Sequence, residues 1–286
     1  MTSAREAFVA LAKAGSYAGA ARRLGVARST VMRKVEGLED ELGVVLAQRA
    51  GGRVVLTRVG QTYADALEGA LEELARAERV ALGSVSGPLR MWLPMLGTSA
   101  FIAPAFAAFR AEHPDVTLHI ELGQNIRRLE LGKFDVALQL GTRVNPSLRF
   151  KRLYDERLIL VASAGYVTER GLPESVDTLN GHVAIHERGP EGALVPWRHP
   201  DGRRAPMPAP SVSINAIGAA YDLARSGAGI ARVPWLLARD ALESGELVCV
   251  LPEVHTVEAV GFVYMPDPTP TTRAFIEGME RWFGVE

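Results

Sequence analysis

The 286-residue chain has a single cysteine, Cys249, few aromatic residues (7%) and a formal net charge of only −1. One cysteine excludes intramolecular disulfides, thiolate zinc clusters and a two-cysteine redox switch. No apolar run approaches the ~20 residues that a membrane span needs. The opening stretch MTSAREAFVALAKAGS carries charges inside its apolar part and lacks the layout of a secretory signal. The expected location is therefore the cytoplasm, with no membrane partner. His182 and His186 stand four residues apart, but on a segment that reads as a strand, so no histidine shows metal-ligand spacing. There is no G-x-S-x-G and no phosphate-cradling loop. SGAGIA at 226–231 lacks the third glycine of a dinucleotide fingerprint and follows a helix instead of a strand. Without a converging nucleophile and base, the expectation is a protein that is not an enzyme and needs no cofactor or metal.

Hydrophobic residues at 48% and charged ones at 23% fit a soluble chain of two or three compact units. The charge is unevenly placed. Residues 1–60 hold ten Lys and Arg against five Asp and Glu, residues 61–86 hold two against five, and residues 87–286 twenty against twenty-three. A basic head on a mildly acidic chain suggests a polyanion partner, the bland alternative being a solvated face.

Spacing decides between the two. Residues 4–14 read as a helix with Phe8, Leu11 and Ala12 inward, ended by Gly15. Ser16 can cap a second helix, 17–24, which Gly25 closes. A third helix, about 28–42, places Val31, Val35, Leu38 and Leu42 on one stripe. Two short helices around a glycine turn form a helix-turn-helix, whose second helix fits the major groove of double-stranded DNA. Its outer and leading positions are Arg28, Ser29, Thr30, Met32, Arg33 and Lys34. Arg reads guanine bidentately, Ser and Thr hold base or phosphate, and Lys34 suits a phosphate. The acids Glu36, Glu39, Asp40 and Glu41 follow only after that turn.

The VVL segments at 44–46 and 54–56 flank Arg49-Ala-Gly-Gly-Arg53 and read as a hairpin, a wing able to lay Arg49 and Arg53 against the minor groove. Thr57 then caps a helix over 58–83, about 40 Å long at 1.5 Å per residue. Tyr63, Leu67, Ala70, Leu74, Ala77 and Ala81 make a coiled-coil seam along it. A helix longer than one small head requires is expected to be a dimerisation arm, and SVSGP at 84–88 a hinge. From 88 onward strands alternate with helices: strands 88–94, 116–122, 134–140, 157–163, 182–186, 211–214, 229–233, 246–250 and 257–265, and helices 99–112, 126–131, 215–226 and 270–283. That alternation predicts an α/β domain with open sheets.

Residues 8–60, with GS at 15–16, AARRLGV at 20–26, LEDELG at 38–43 and LT at 56–57, resemble the DNA-binding head of LysR-type transcriptional regulators. The likeness continues through FIAPAFAAFRAEHPDVTLHIELG, LGKFDVALQLG, RLILVASAGYV, ARSGAGIARVP and TPTTRAFIEGMERWF, similar to that family's effector-binding domain. It implies a winged helix-turn-helix head (1–57), a linker helix and hinge (58–86) and a two-lobed, periplasmic-binding-protein-like α/β domain (87–286). Lobe one would be 87–162 with 266–286, and lobe two 163–265. It further implies a bacterial, homo-oligomeric regulator: dimers through 58–83 pairing into tetramers or larger assemblies, an interrupted inverted repeat as target, and RNA polymerase as a further partner. Four positions depart from the family pattern: Ala27, Arg28, Met32 and Ala47. Ala27 weakens the cap of the recognition helix, and Ala47 removes an aromatic that would pack the wing.

Ligands of open α/β sheets bind beyond the carboxyl ends of strands. Gly97, Thr98 and Ser99 follow the first strand of the domain and open a helix whose free N–H groups suit a carboxylate effector. Asn125, beside Gln124, and Gly141 with Thr142 share that edge. The resemblance adds Val195, Trp197 and Asn215 from lobe two, though a tryptophan there is more often core than ligand stacker. Asp135 reads as a structural turn carboxylate. The rival class is a cytosolic solute-binding protein or enzyme that uses its head only for assembly. A third reading is a nucleoid-type DNA binder without an effector.

Overall fold

The computed structural model describes residues 2–50, 53–94, 102–123, 133–141, 145–189 and 192–284. The chain forms two compact units, 1–83 and 84–286.

In the first unit, α1 (Ala4–Ala14), α2 (Tyr17–Leu24) and α3 (Arg28–Leu42) enclose a core of Phe8, Leu11, Ala20, Val31, Val35 and Leu38. Their ends are written locally. Ser3 and Ser16 accept N–H bonds from Glu6 and Gly19, and Gly15, Gly25 and Gly43 close the three helices in the left-handed region. Leu42 does not join the stripe: it is 37% exposed.

The wing is a hairpin of β1 (Ala47–Ala50) and β2 (Arg53–Leu56), with Ala47 opposite Leu56 and Ala50 opposite Arg53. Its first strand starts three residues later than hydropathy suggests. Val44 and Val45 are exposed (40% and 60%), while Leu46 is fully buried. The reason is a carboxylate: Glu39 Oε1 accepts from Leu46 N–H (2.7 Å) and Ala47 N–H (2.9 Å). That bond holds 44–46 as a connector from α3 to the strand. Val54 N–H also donates to Gly15 O, so the wing is tied at both strands despite the missing aromatic at Ala47.

Helix α4 (Arg58–Ala81) begins at Thr57, whose hydroxyl accepts from Gly60 N–H. Its inner half belongs to its own head. Ala64 and Leu67 are buried there, Tyr63 and Leu71 pack against them, and the Phe8 and Tyr63 rings lie 5.9 Å apart. The expected seam is therefore divided. Tyr63 and Leu67 face the head, whereas Ala70, Leu74 (57% exposed), Ala77 and Ala81 lie open, as do Val80 and Leu82.

The second unit carries a nine-stranded sheet in the order β4 (Val116–Gly123), β3 (Gly87–Pro94), β5 (Val136–Leu140), β11 (Thr256–Tyr264), β6 (Arg149–Ser163), β9 (Ile230–Pro234), β7 (Ala184–Glu187), β8 (Pro210–Ile214), with β10 (Leu247–Val250) paired to β6, among the described residues. Lobe one contains β3 (Gly87–Pro94), β4 (Val116–Gly123) and β5 (Val136–Leu140), with β3 running parallel to both of the others. Helices α5 (Ala103–Glu112) and α9 (Pro270–Phe283) cover it, through Phe106, Phe109, Phe275 and Met279. Asp135 is structural, as expected: its carboxylate and its N–H bracket the Arg90 backbone. Lobe two contains β7 (Ala184–Glu187), β8 (Pro210–Ile214), β9 (Ile230–Pro234) and β10 (Leu247–Val250). With it go α6 (Ala164–Arg170), α7 (Ile217–Arg225) and α8 (Trp235–Glu243).

The two halves are joined through one antiparallel ribbon, β6 (Arg149–Ser163) with β11 (Thr256–Tyr264). Strand β6 starts eight residues before the expected 157. Its first half, RFKRLYDE, is polar enough to read as loop, and only pairing with β11 makes it a strand. Core membership changes along the ribbon: Leu153, Val260 and Phe262 pack in lobe one, Ile159 to Ala162 in lobe two. The expected lobe boundaries, 162/163 and 265/266, therefore fall a few residues beyond these changes of core.

Glu156, 3% exposed, sits on β6 between the two cores and accepts from Arg157 and Leu236 N–H. It thereby serves the start of α8, which has no cap of its own, and burial raises its pKa.

His186 is fully buried, stacked on Trp197 at 5.2 Å, with Nε2 3.0 Å from Pro208 O. Burial lowers its pKa from the usual 6.5. Because the folded state holds the neutral ring, its stability contribution is complete above the unfolded value. It falls as pH drops below about 6.5, until the lowered folded value is reached. Unfolding of the wild type is expected to lose up to about 1.4 kcal/mol per pH unit in that window. Denaturant titrations at several pH values should show this extra slope in the wild type, and His186→Phe should lack it.

Candidate nucleic-acid interface and ligand cleft

The exposed side of the head carries a distinct kind of charge. Arg28, Ser29 and Arg33 are exposed on the leading half of α3, Thr30, Met32 and Lys34 half-buried beside them, and Arg49 and Arg53 exposed on the wing. Arg22 and Arg23, in the last turn of α2, are exposed as well. Among the described residues none of these seven cations makes an ion pair. The cations elsewhere on the head differ: Arg5 pairs with Glu41 at 2.6 Å and Lys13 with Glu68. Two of the four acids of α3 are engaged too, Glu41 by Arg5 and Glu39 by the wing backbone. A set of uncompensated guanidinium groups on one helix-turn-helix and its wing can bind phosphate and guanine edges at little cost in broken pairs. Ala27 offers no side-chain bond to the start of α3, which leaves the N–H groups of its first turn without a side-chain cap.

Sequence reasoning counts Arg22 and Arg23 in the basic stretch at 19–43 but leaves them out of the candidate contacts. Their signal was available, since Ala20, Ala21 and Leu24 take the inner face of α2 and leave both arginines outside. It also treated Glu39 as a charge and missed its hold on the wing, a contact across seven residues that spacing does not encode.

In the second unit the cleft candidates divide into three groups. Thr98, Ser99, Asn125 and Thr142 lie outside the described residues, with Gly97, Gln124, the start of the expected helix 99–112 and the expected helix 126–131. Gly141 and Asn215 follow the carboxyl ends of β5 and β8, and Val195, which is in no strand, bonds to the carboxyl end of β7. Gly141 ends β5 with φ 80°, donates to Ala259 O at 2.8 Å and lies beside Glu258. Asn215 is exposed just after β8, and half-buried Val195 donates to Glu187 O at 2.8 Å. Trp197 is a correction. It is 1% exposed, packed with Tyr166, Leu179 and Leu251, and its face is covered by His186. It is a core residue of lobe two and has no free face for a ligand. Among the described residues no group of His, Cys, Asp and Glu could hold a metal, and no helix is long and apolar enough to cross a membrane.

A winged helix-turn-helix ahead of a two-lobed α/β domain defines a DNA-binding regulator controlled by a bound effector. Comparison with known proteins gives the same class. Residues 3–61 match the bacterial regulatory helix-turn-helix protein model of the lysR family, and residues 82–284 the LysR substrate binding domain. The chain belongs to the LysR family of transcriptional regulators. It is 30% identical over 250 residues to the HTH-type transcriptional regulator CrgA of Neisseria meningitidis serogroup C, covering 86% of this chain and 83% of that protein. It is also 30% identical over 286 residues to an HTH-type transcriptional regulator of Xanthomonas campestris pv. campestris, covering 94% and 82%. The solved structure of CrgA from Neisseria meningitidis matches with a TM-score of 0.64 at 27% identity over 98% of both chains. The full-length Vibrio cholerae virulence activator AphB shares the fold, with a TM-score of 0.62 at 23% identity over 96% and 97%. These relatives are named as regulators, and a solute-binding protein or enzyme is not the favoured reading.

Proposed function

We propose that this regulator is a non-enzymatic, cytoplasmic dimer that reads an interrupted inverted repeat through two heads. Each α3 enters a major groove, with Arg28 and Arg33 on base edges and Ser29, Thr30, Met32 and Lys34 at the groove wall. Arg49 and Arg53 follow the adjacent minor groove. The observation that carries this reading is the set of exposed cations without ion pairs on α3 and the wing. Two copies join through the open outer half of α4, and effector domains pair the dimers into tetramers or larger assemblies. A small anionic effector binds at the carboxyl ends of the lobe strands, at Gly141, Val195 and Asn215, together with Thr98, Ser99, Asn125 and Thr142. It shifts DNA binding only by its different affinities for two arrangements of the heads. RNA polymerase is the downstream partner of such a complex.

Selection from a pool of random duplexes at moderate salt tests this reading. Enrichment of an inverted repeat supports it, and salt-sensitive binding without enrichment reduces the head to backbone attraction. With the enriched duplex, Arg33→Ala is expected to cost about 1–3 kcal/mol and relax the preferred sequence, whereas Lys34→Ala weakens enriched and random duplexes alike. Equal losses on both duplexes for both variants would reverse the Arg33 assignment.

A further inference from the structure

Among the described ion pairs, the least exposed side chain is that of Arg232 on β9, at 10%. It is also poorly paired. Among the described residues its side chain makes one 3.3 Å bond, from Nη2 to Glu187 Oε2, and that carboxylate is 25% exposed. The exposed pair Arg225–Glu246 provides a measure: three bonds of 2.7–3.0 Å, though both side chains are more than 40% exposed. Burial of a guanidinium is costly and is offset only by close, multiple hydrogen bonds. Charge-assisted N–H to carboxylate bonds usually measure about 2.7–2.9 Å, and Arg with carboxylate is commonly bidentate. Arg232 is thus mostly buried but held by one long carboxylate bond, and no nitrogen of its guanidinium is both sealed from solvent and unpartnered, so its remaining N–H donors stay open to a further acceptor.

Its position gives that deficit a meaning. Strands β7, β8 and β9 run parallel, and Glu187, Ile214 and Pro234 are their carboxyl ends. Arg232 is two residues from the end of β9, and Glu187 is the last residue of β7. Val195 N–H bonds to Glu187 O, and Arg188 N–H to Ile214 O beside Asn215, so one edge gathers all these groups. This is where open α/β sheets take ligands.

We propose that Arg232 reads the carboxylate of the effector bidentately, and that Glu187 is its internal competitor, released when the effector binds. The inference rests on the reading of the inter-lobe cleft as the effector site and names its anion-binding residue. Glu187 then acts as a positioning residue: it holds the guanidinium at the strand edge and sets the concentration of carboxylate required.

The test is thermal unfolding of the full-length protein against increasing sodium acetate or sodium benzoate, with sodium chloride at matched ionic strength as control. Four forms are compared: wild type, Glu187→Gln, Arg232→Gln and the double variant. The expected result is a saturable carboxylate-specific rise in melting temperature for the wild type. The midpoint should fall at least fivefold in Glu187→Gln, and the rise should be absent in both Arg232→Gln forms. An unchanged midpoint in Glu187→Gln overturns the proposal, as does a persisting response without Arg232, or none in any form. Glu187→Gln keeps Arg232, so the outcome does not depend on the folding of Arg232→Gln. Duplex selection with the same wild-type protein is read separately. Enrichment together with a failed titration discards the Arg232 assignment and leaves the regulator reading standing.

Discussion

Gly60→Ala is expected to destabilise the head by about 2 kcal/mol, although the position is helical and alanine is the better helix former. An added Cβ would overlap the carbonyl oxygen of Leu46, with that residue's carbonyl carbon and Cα close behind. Leu46 cannot move away. Its side chain is fully buried, its N–H is held by Glu39, and its carbonyl accepts from Thr57 N–H at 2.9 Å. Overpacking against fixed backbone costs about 3 kcal/mol, from which alanine's propensity gain of about 1 kcal/mol is subtracted. In a unit of this size the balance corresponds to a drop of roughly 10 °C in the melting temperature of the head. Gly69→Ala is the internal control. Gly69 lies on the exposed face of the same helix with nothing within 4 Å of an added Cβ, so that change is expected to stabilise by up to about 1 kcal/mol. Calorimetry of the two variants decides the matter, and equal melting temperatures would show that the Gly60–Leu46 approach does not constrain the fold.

The double variant Leu74→Glu with Leu82→Glu is expected to abolish the advantage of a complete repeat over a half-site. Leu74 lies on the outer half of α4 and Leu82 is its C-cap residue, 57% and 81% exposed. Carboxylates there leave the packing of Ala64 and Leu67 against the head untouched. Linked heads gain about 10²–10⁴ in affinity from the second contact, and unlinked heads gain nothing. The ratio of half-site to full-site dissociation constants should therefore fall from about 100 or more towards one. A ratio that stays high would place the pairing of heads elsewhere. Leu71→Ala separates the two halves of the helix: Leu71 packs on the head, so stability should fall while the ratio holds.

Much of the head was legible because its determinants are local. Ser3, Ser16 and Thr57 cap helices through N–H groups three residues ahead, and Gly15, Gly25 and Gly43 end them. Periodicity also separated Val31, Val35 and Leu38 from Arg28 and Arg33. The misreadings came where a partner distant in the chain sets the outcome. Glu39 moves the start of β1 past Leu46, and β11 turns RFKRLYDE into strand. Helices α6 and α8 are short, and α8 draws its N-terminal acceptor from Glu156, far away on β6. Trp197 passed as a ligand contact because composition cannot tell a buried ring stacked on His186 from an open one.

By itself the sequence determined the helix-turn-helix, the wing, the family and the placing of positive charge outside the recognition helix. All of these follow from residues within a turn or two of one another, where propensity, capping and period act directly. Only the tertiary structure decided which cations are left unpaired, how α4 divides between its head and an open face, and where the cores exchange along β6 and β11. It alone revealed the weakly paired Arg232 beside Glu187. Burial and pairing depend on groups brought together from distant parts of the chain, and the cost of a desolvated charge exists only once those groups have met.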